Sequence, residues 1–146
     1  MINTTSGVAA SGQRVWSVLA NEALASQRIL VTGGSGFIGS NLMDFFLASG
    51  ATRLANFDLA EPRNSAHRSF WQRIDLRDRE ALIAAVRAFA PTAVLHMGAR
   101  TDLQGTSLRD YAANIEGVAN IIDAVLAIDP PPPVVFASSR LVCRIG

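Results

Sequence analysis

Apolar and polar positions alternate along the chain in a way that predicts strand, helix, strand, repeated. Ile29-Leu30-Val31-Thr32 is a short apolar run closed by glycines, the pattern of a buried strand. Phe37 to Ser49 follows with Ile38, Leu42, Phe45 and Phe46 at helical spacing, and Gly50 stands where a helix end takes a left-handed residue. Leu54 to Phe57 reads as a second strand ending at Asp58, and Phe70 to Ile74 as a third ending at Asp75. A polar loop is expected over 59–68. Asp78 caps a helix carrying Leu82, Val86 and Phe89, which Pro91 stops. Ala93 to Met97 is a fourth strand. Leu108, Tyr111, Ile115, Val118, Ile122 and Val125 mark a long amphipathic helix, ended by Asp129 and the prolines at 130–133. Val134 to Ala137 is the fifth strand. This order predicts an α/β fold, a Rossmann-type doubly wound parallel sheet of about five strands in the order 3-2-1-4-5. Residues 1–27 read as an N-terminal extension, with a short helix over 14–25, and 28–146 as the sheet domain.

Composition narrows the function classes. Hydrophobic residues form 49% of the 146 and charged residues 17%, enough for a buried core and too little charge for a disordered chain. The net charge of +1 gives no electrostatic case for nucleic acid or an anionic membrane. The lone Cys143 excludes an internal disulfide and a multi-cysteine zinc site, and no metal site is expected. No apolar run is long enough to span a bilayer, and no signal peptide opens the chain, so a cytoplasmic location is expected. All thirteen basic residues are Arg, and Tyr111 is the one tyrosine.

The most informative stretch is Thr32-Gly33-Gly34-Ser35-Gly36-Phe37-Ile38-Gly39. Gly33, Gly36 and Gly39 recur every third residue between strand and helix. One glycine makes a turn that side chains forbid, one lets the backbone approach a pyrophosphate, and one lets the helix pack closely. The helix then directs its free N–H groups and positive end at the phosphates. Roughly 25 residues beyond Gly33, at the end of the second strand, Asp58 can accept hydrogen bonds from ribose hydroxyls and repel a 2′-phosphate. That favours NAD and disfavours NADP. A nucleotide-hydrolase phosphate loop is excluded, because Ser40 stands where its lysine must be. Two other readings stay open: a non-catalytic dinucleotide-binding module, and a methyltransferase-like binder of S-adenosylmethionine.

With these residues in hand, the chain resembles the extended short-chain dehydrogenase/reductase family, in its NAD-dependent nucleotide-sugar epimerase/dehydratase branch. Thr32 to Gly39 matches TGxxGxxG, and Asp75-Leu76 matches the pair that contacts adenine. His96 to Thr101 resembles HLAA-x-T with Gly98 for an alanine, its backbone lying along the cofactor. Asn114 with Gly117 matches N-x-x-G, and Ser138-Ser139-Arg140-Leu141-Val142 matches SS-x-x-V. The resemblance implies cofactor contacts at Gly33, Gly36, Phe37, Ile38, Gly39, Asp58, Asp75, Leu76, Gly98, Ala99, Arg100, Asn114 and Ser138, and a substrate-orienting role for Ser139. It implies a nucleotide sugar as substrate and allows a homodimer paired through the helices at 78–89 and 107–127. The family's general base is a Tyr beyond the position of Ser139, with a Lys one helical turn later that lowers its pKa. This sequence has no Lys, and Tyr111 precedes the fifth strand. The expectation is therefore the cofactor-binding part of such an enzyme, truncated before the catalytic pair and the C-terminal substrate domain, and inactive alone. His96, Asn114, Asp102 and Asp110 also read as ordinary packing or hydrogen-bonding residues, and Arg63, Arg68, Arg73, Arg77 and Arg79 as a solvated face.

Overall fold

The computed structural model describes residues 24–102 and 104–138. It contains a five-stranded, fully parallel sheet in the order β3-β2-β1-β4-β5. The strands are β1 (Arg28–Thr32), β2 (Arg53–Asp58), β3 (Trp71–Arg73), β4 (Ala93–His96) and β5 (Val134–Phe136). The helices are α1 (Phe37–Ala48), α2 (Arg79–Phe89) and α3 (Ala112–Leu126). The expected architecture and strand order are both present.

Side chains alternate across a strand, so β1 feeds two cores. Leu30 joins Ala55, Phe57, Val94, Leu82, Val86 and Ile121 under α2 and α3. Ile29 and Val31 join Met43, Phe46 and Leu54 under α1. Helices thus cover both faces, which is why the central strands carry apolar residues on both sides. Leu24 packs on the α1 side, and Thr92 Oγ1 donates to Gln27 Oε1 at 2.6 Å. The short helix expected over 14–25 lies mostly outside the described residues.

Local chemistry sets the helix ends. Asp78 accepts from the Ala81 N–H at 3.0 Å, the expected N-cap of α2. Gly50, at φ +81°, closes α1: its N–H donates to Leu47 O at 3.1 Å, and the Ala51 N–H donates to Phe46 O at 2.9 Å. Two expectations are corrected. The polar loop after Asp58 contains a 3-10 turn, Ser65–Phe70, because fully buried His67 anchors it to α1 through Asp44 Oδ1 at 2.8 Å. The long helix begins as a separate 3-10 turn, Leu108–Tyr111, because Asp110 Oδ2 accepts from the Thr106 and Ser107 N–H groups, each at 2.9 Å, and so pins the first turn.

Candidate functional site

The carboxyl ends of β1, β2 and β4 open onto a crevice of about 510 Å³, where the strand order reverses across β1. Each glycine of the loop has a distinct task there. Gly33 turns the chain at φ +68°, and a Cβ on it would fall 2.6 Å from Gly98 N and Cα. Gly39 is buried against the loop itself, its added Cβ only 2.1 Å from Gly33 O. Gly36 is the open one: an added Cβ would meet only Gly33 O, at 3.3 Å. Among the described residues no side chain caps α1, and its first turn has no acidic residue. Its start amides are therefore without a side-chain partner among those residues.

Asp58 lies in the crevice wall rather than facing away. Its Oδ2 accepts from the Ser35 N–H at 3.0 Å and its Oδ1 from the Ala60 N–H at 2.9 Å. Trp71 Nε1 donates to Asp58 O at 3.1 Å and fixes the end of β2. Gly33, Gly36, Asp75, Leu76, Gly98, Ala99 and Arg100 line the same space. Arg77, read above as part of a solvated face, lines it too. Its guanidinium grips the Asp75 carboxylate at 2.6 Å and holds the Asp75 pKa below the usual carboxylate value.

Other expected residues sit elsewhere. Phe37 is 88% and Ile38 55% exposed, so neither side chain lines the crevice, and only their main-chain amides remain to meet a ligand there. Gly39 acts through packing. Asn114 does not line the crevice. Its Oδ1 accepts from the Arg100 N–H at 2.7 Å and its Nδ2 donates to Arg100 O at 2.9 Å, so it clamps the loop that does. Ser138 is exposed past β5 and outside the lining, and Ser139 and Cys143 lie outside the described residues. His96 is buried beneath the site, Nδ1 2.8 Å from Thr32 Oγ1 and its ring edge-on to Phe136, and burial lowers its pKa. Tyr111 does more than pack on a helix face: its hydroxyl donates to Asp102 O and accepts from the Gly105 N–H, under the Arg100 guanidinium.

Sequence reasoning missed Ser35, Arg109 and Asn56. Ser35 and Arg109 line the crevice, and Arg109 forms no ion pair among the described residues. Asn56 is fully buried and donates to Ser35 Oγ at 3.1 Å. A signal for Asn56 was present: it is the polar residue inside an otherwise apolar strand.

The fold and its glycine crevice match a known group. Residues 29–144 match the family described as NAD dependent epimerase/dehydratase. The chain belongs to this family. Among curated relatives, a UDP-glucose 4-epimerase of Rhizobium meliloti is 31% identical over 113 residues, covering 71% of this chain and 33% of the relative. A 3-beta-hydroxysteroid dehydrogenase of Mycolicibacterium neoaurum is also 31% identical, over 105 residues, covering 66% and 28%. The crystal structure of Thermus thermophilus UDP-glucose 4-epimerase in complex with NAD superposes with a TM-score of 0.66 at 33% identity, over 77% of this chain and 37% of that one. The chain spans about a third of the length of the relatives it matches. Among the described residues, no helix is long and apolar enough to cross a membrane, and no cluster of His, Cys, Asp and Glu can hold a metal ion.

Proposed function

We propose that the crevice binds NAD and that the parent activity is NAD-dependent epimerisation, dehydration or oxidation of a nucleotide sugar. The observation that carries the binding reading is Asp58 across the glycine loop from the uncapped start of α1. A carboxylate suits two ribose hydroxyls, and uncapped amides beside Gly36 suit a diphosphate. Asp75 and Leu76 would border the adenine, with Gly98, Ala99 and Arg100 also lining the crevice, Gly98 packed against Leu76. When bound, the nicotinamide supplies reversible hydride acceptance. The sugar reading is supported by the UDP-glucose 4-epimerase relatives; the 3-beta-hydroxysteroid dehydrogenase among the relatives makes the substrate class the part that needs its own test.

These 146 residues alone are proposed not to turn over. A tyrosine near its ordinary pKa of about 10 needs a fixed cation to act as a base at neutral pH. The chain has no Lys, and although the Arg100 guanidinium lies over the Tyr111 ring, the Tyr111 hydroxyl is committed to Asp102 O and the Gly105 N–H. Ser139 then keeps its expected substrate-orienting role without a base to work with.

The test is a titration of the purified chain with NAD, NADP and S-adenosylmethionine, repeated on Asp58→Ala. NAD should bind, NADP more weakly, and Asp58→Ala should weaken NAD by about tenfold or more. Binding of S-adenosylmethionine in place of NAD would overturn the reading. Conversion of a nucleotide sugar by residues 1–146 would overturn the claim of inactivity.

A further inference from the structure

Ser35 is held from two sides. Its N–H donates to Asp58 Oδ2 at 3.0 Å, and its Oγ accepts from Asn56 Nδ2 at 3.1 Å. Asn56 is fully buried between Ala55 and Phe57, packed so closely under the loop that a Cβ on Gly34 would fall 2.4 Å from its Oδ1. That Oδ1 has no hydrogen-bond partner among the described residues. Reversing the amide would set a buried NH₂ against the Gly34 Cα with no acceptor, whereas the observed orientation sets an oxygen against a Cα–H. A buried amide half-satisfied in this way costs stability that an apolar residue of similar size would not. Its return is the direction of the Ser35 hydroxyl. With one Oγ lone pair taken from below, the hydroxyl proton turns away from Asn56. Among the described residues the hydroxyl donates to no group, and Ser35 lines the crevice.

We propose that the Ser35 hydroxyl is a preset donor to a diphosphate oxygen of the bound dinucleotide, and that Asn56 is the positioning residue that aims it. This rests on the NAD reading above and names a contact within it. The diphosphate is the fitting partner because the ribose hydroxyls would be taken by the Asp58 acceptor, while a donor beside the α1 start matches an anion.

The experiment is calorimetric titration of the 146-residue chain and of Ser35→Ala, Asn56→Val and the double variant with NAD, ADP and adenosine. Ser35→Ala should weaken NAD and ADP by about tenfold and leave adenosine within about twofold. Asn56→Val should weaken NAD comparably when Ser35 is present and add nothing in the Ser35→Ala background. If Asn56→Val fails to fold, the contrast between ADP and adenosine in Ser35→Ala decides alone. Unchanged NAD affinity in Ser35→Ala, an equal loss for adenosine, or a full additional loss from Asn56→Val in the double variant would each overturn the proposal. Failure of the unsubstituted chain to bind NAD would instead overturn the reading beneath it, and this contact with it.

Discussion

Replacing Gly39 and Gly36 by alanine, one at a time, should separate folding from binding within a single loop. A Cβ on Gly39 would stand 2.1 Å from Gly33 O, 2.5 Å from Gly34 Cα and 2.8 Å from Gly33 C. All three are backbone atoms, so no side chain can swing aside. An ordinary C···O contact is about 3.3 Å, so α1 must move off the loop by about 1 Å. Overpacking of this kind costs on the order of 3 kcal/mol, a large part of a domain's total stability, and should lower Tm by about 10 °C. Gly36 is different. Its φ of −75° suits any residue, and its Cβ would meet only Gly33 O at 3.3 Å. Alanine there should change stability by no more than about 1 kcal/mol, since reduced freedom of the unfolded chain offsets a poorer N-cap. The methyl would nevertheless stand where a diphosphate must approach the backbone, and should weaken NAD by about tenfold. Thermal melts and NAD titrations on both variants check this. A Gly39→Ala variant as stable as the parent would refute the packing argument. Intact NAD affinity in Gly36→Ala would refute the placement of the diphosphate.

Asn114→Val should cost about 1–3 kcal/mol, because it strips both partners from the Arg100 backbone, and urea denaturation will show it as a lower midpoint. Asp78→Ala removes the acceptor for the Ala81 N–H and should cost about 1 kcal/mol, read as a fall in Tm of a few degrees. Stability should also depend on pH through His96, whose pKa burial lowers from 6.5. Below that value the unfolded chain binds the proton that the folded chain refuses. Stability is therefore full above about pH 6.5 and declines as pH falls toward the folded pKa. His96→Gln should flatten that limb in urea midpoints compared at about pH 7 and pH 5. A second decline should follow in more acid solution: Arg77 holds Asp75 below its ordinary 3.8, so the stability it contributes is present above that value and lost beneath it.

The periodicity of apolar residues and the chemistry of Gly, Asp and Pro determined the elements, their parallel order and the glycine loop between the first strand and the first helix. Those signals are local: an alternating or helical apolar stripe, the Asp78 cap and the Gly50 stop each act within a few residues. The sequence also marked Asp58 as the acid at the end of the second strand. Which glycine turns, which packs and which stays open was decided only in three dimensions, because it depends on how near Gly98 and the loop's own carbonyls come to each Cα. The same holds for Arg77 closing on Asp75, for Asn114 clamping Arg100, and for Asn56 reaching Ser35 from the next strand. Such roles belong to pairs of residues. Periodicity assigns a residue to a face, but only packing chooses its partner.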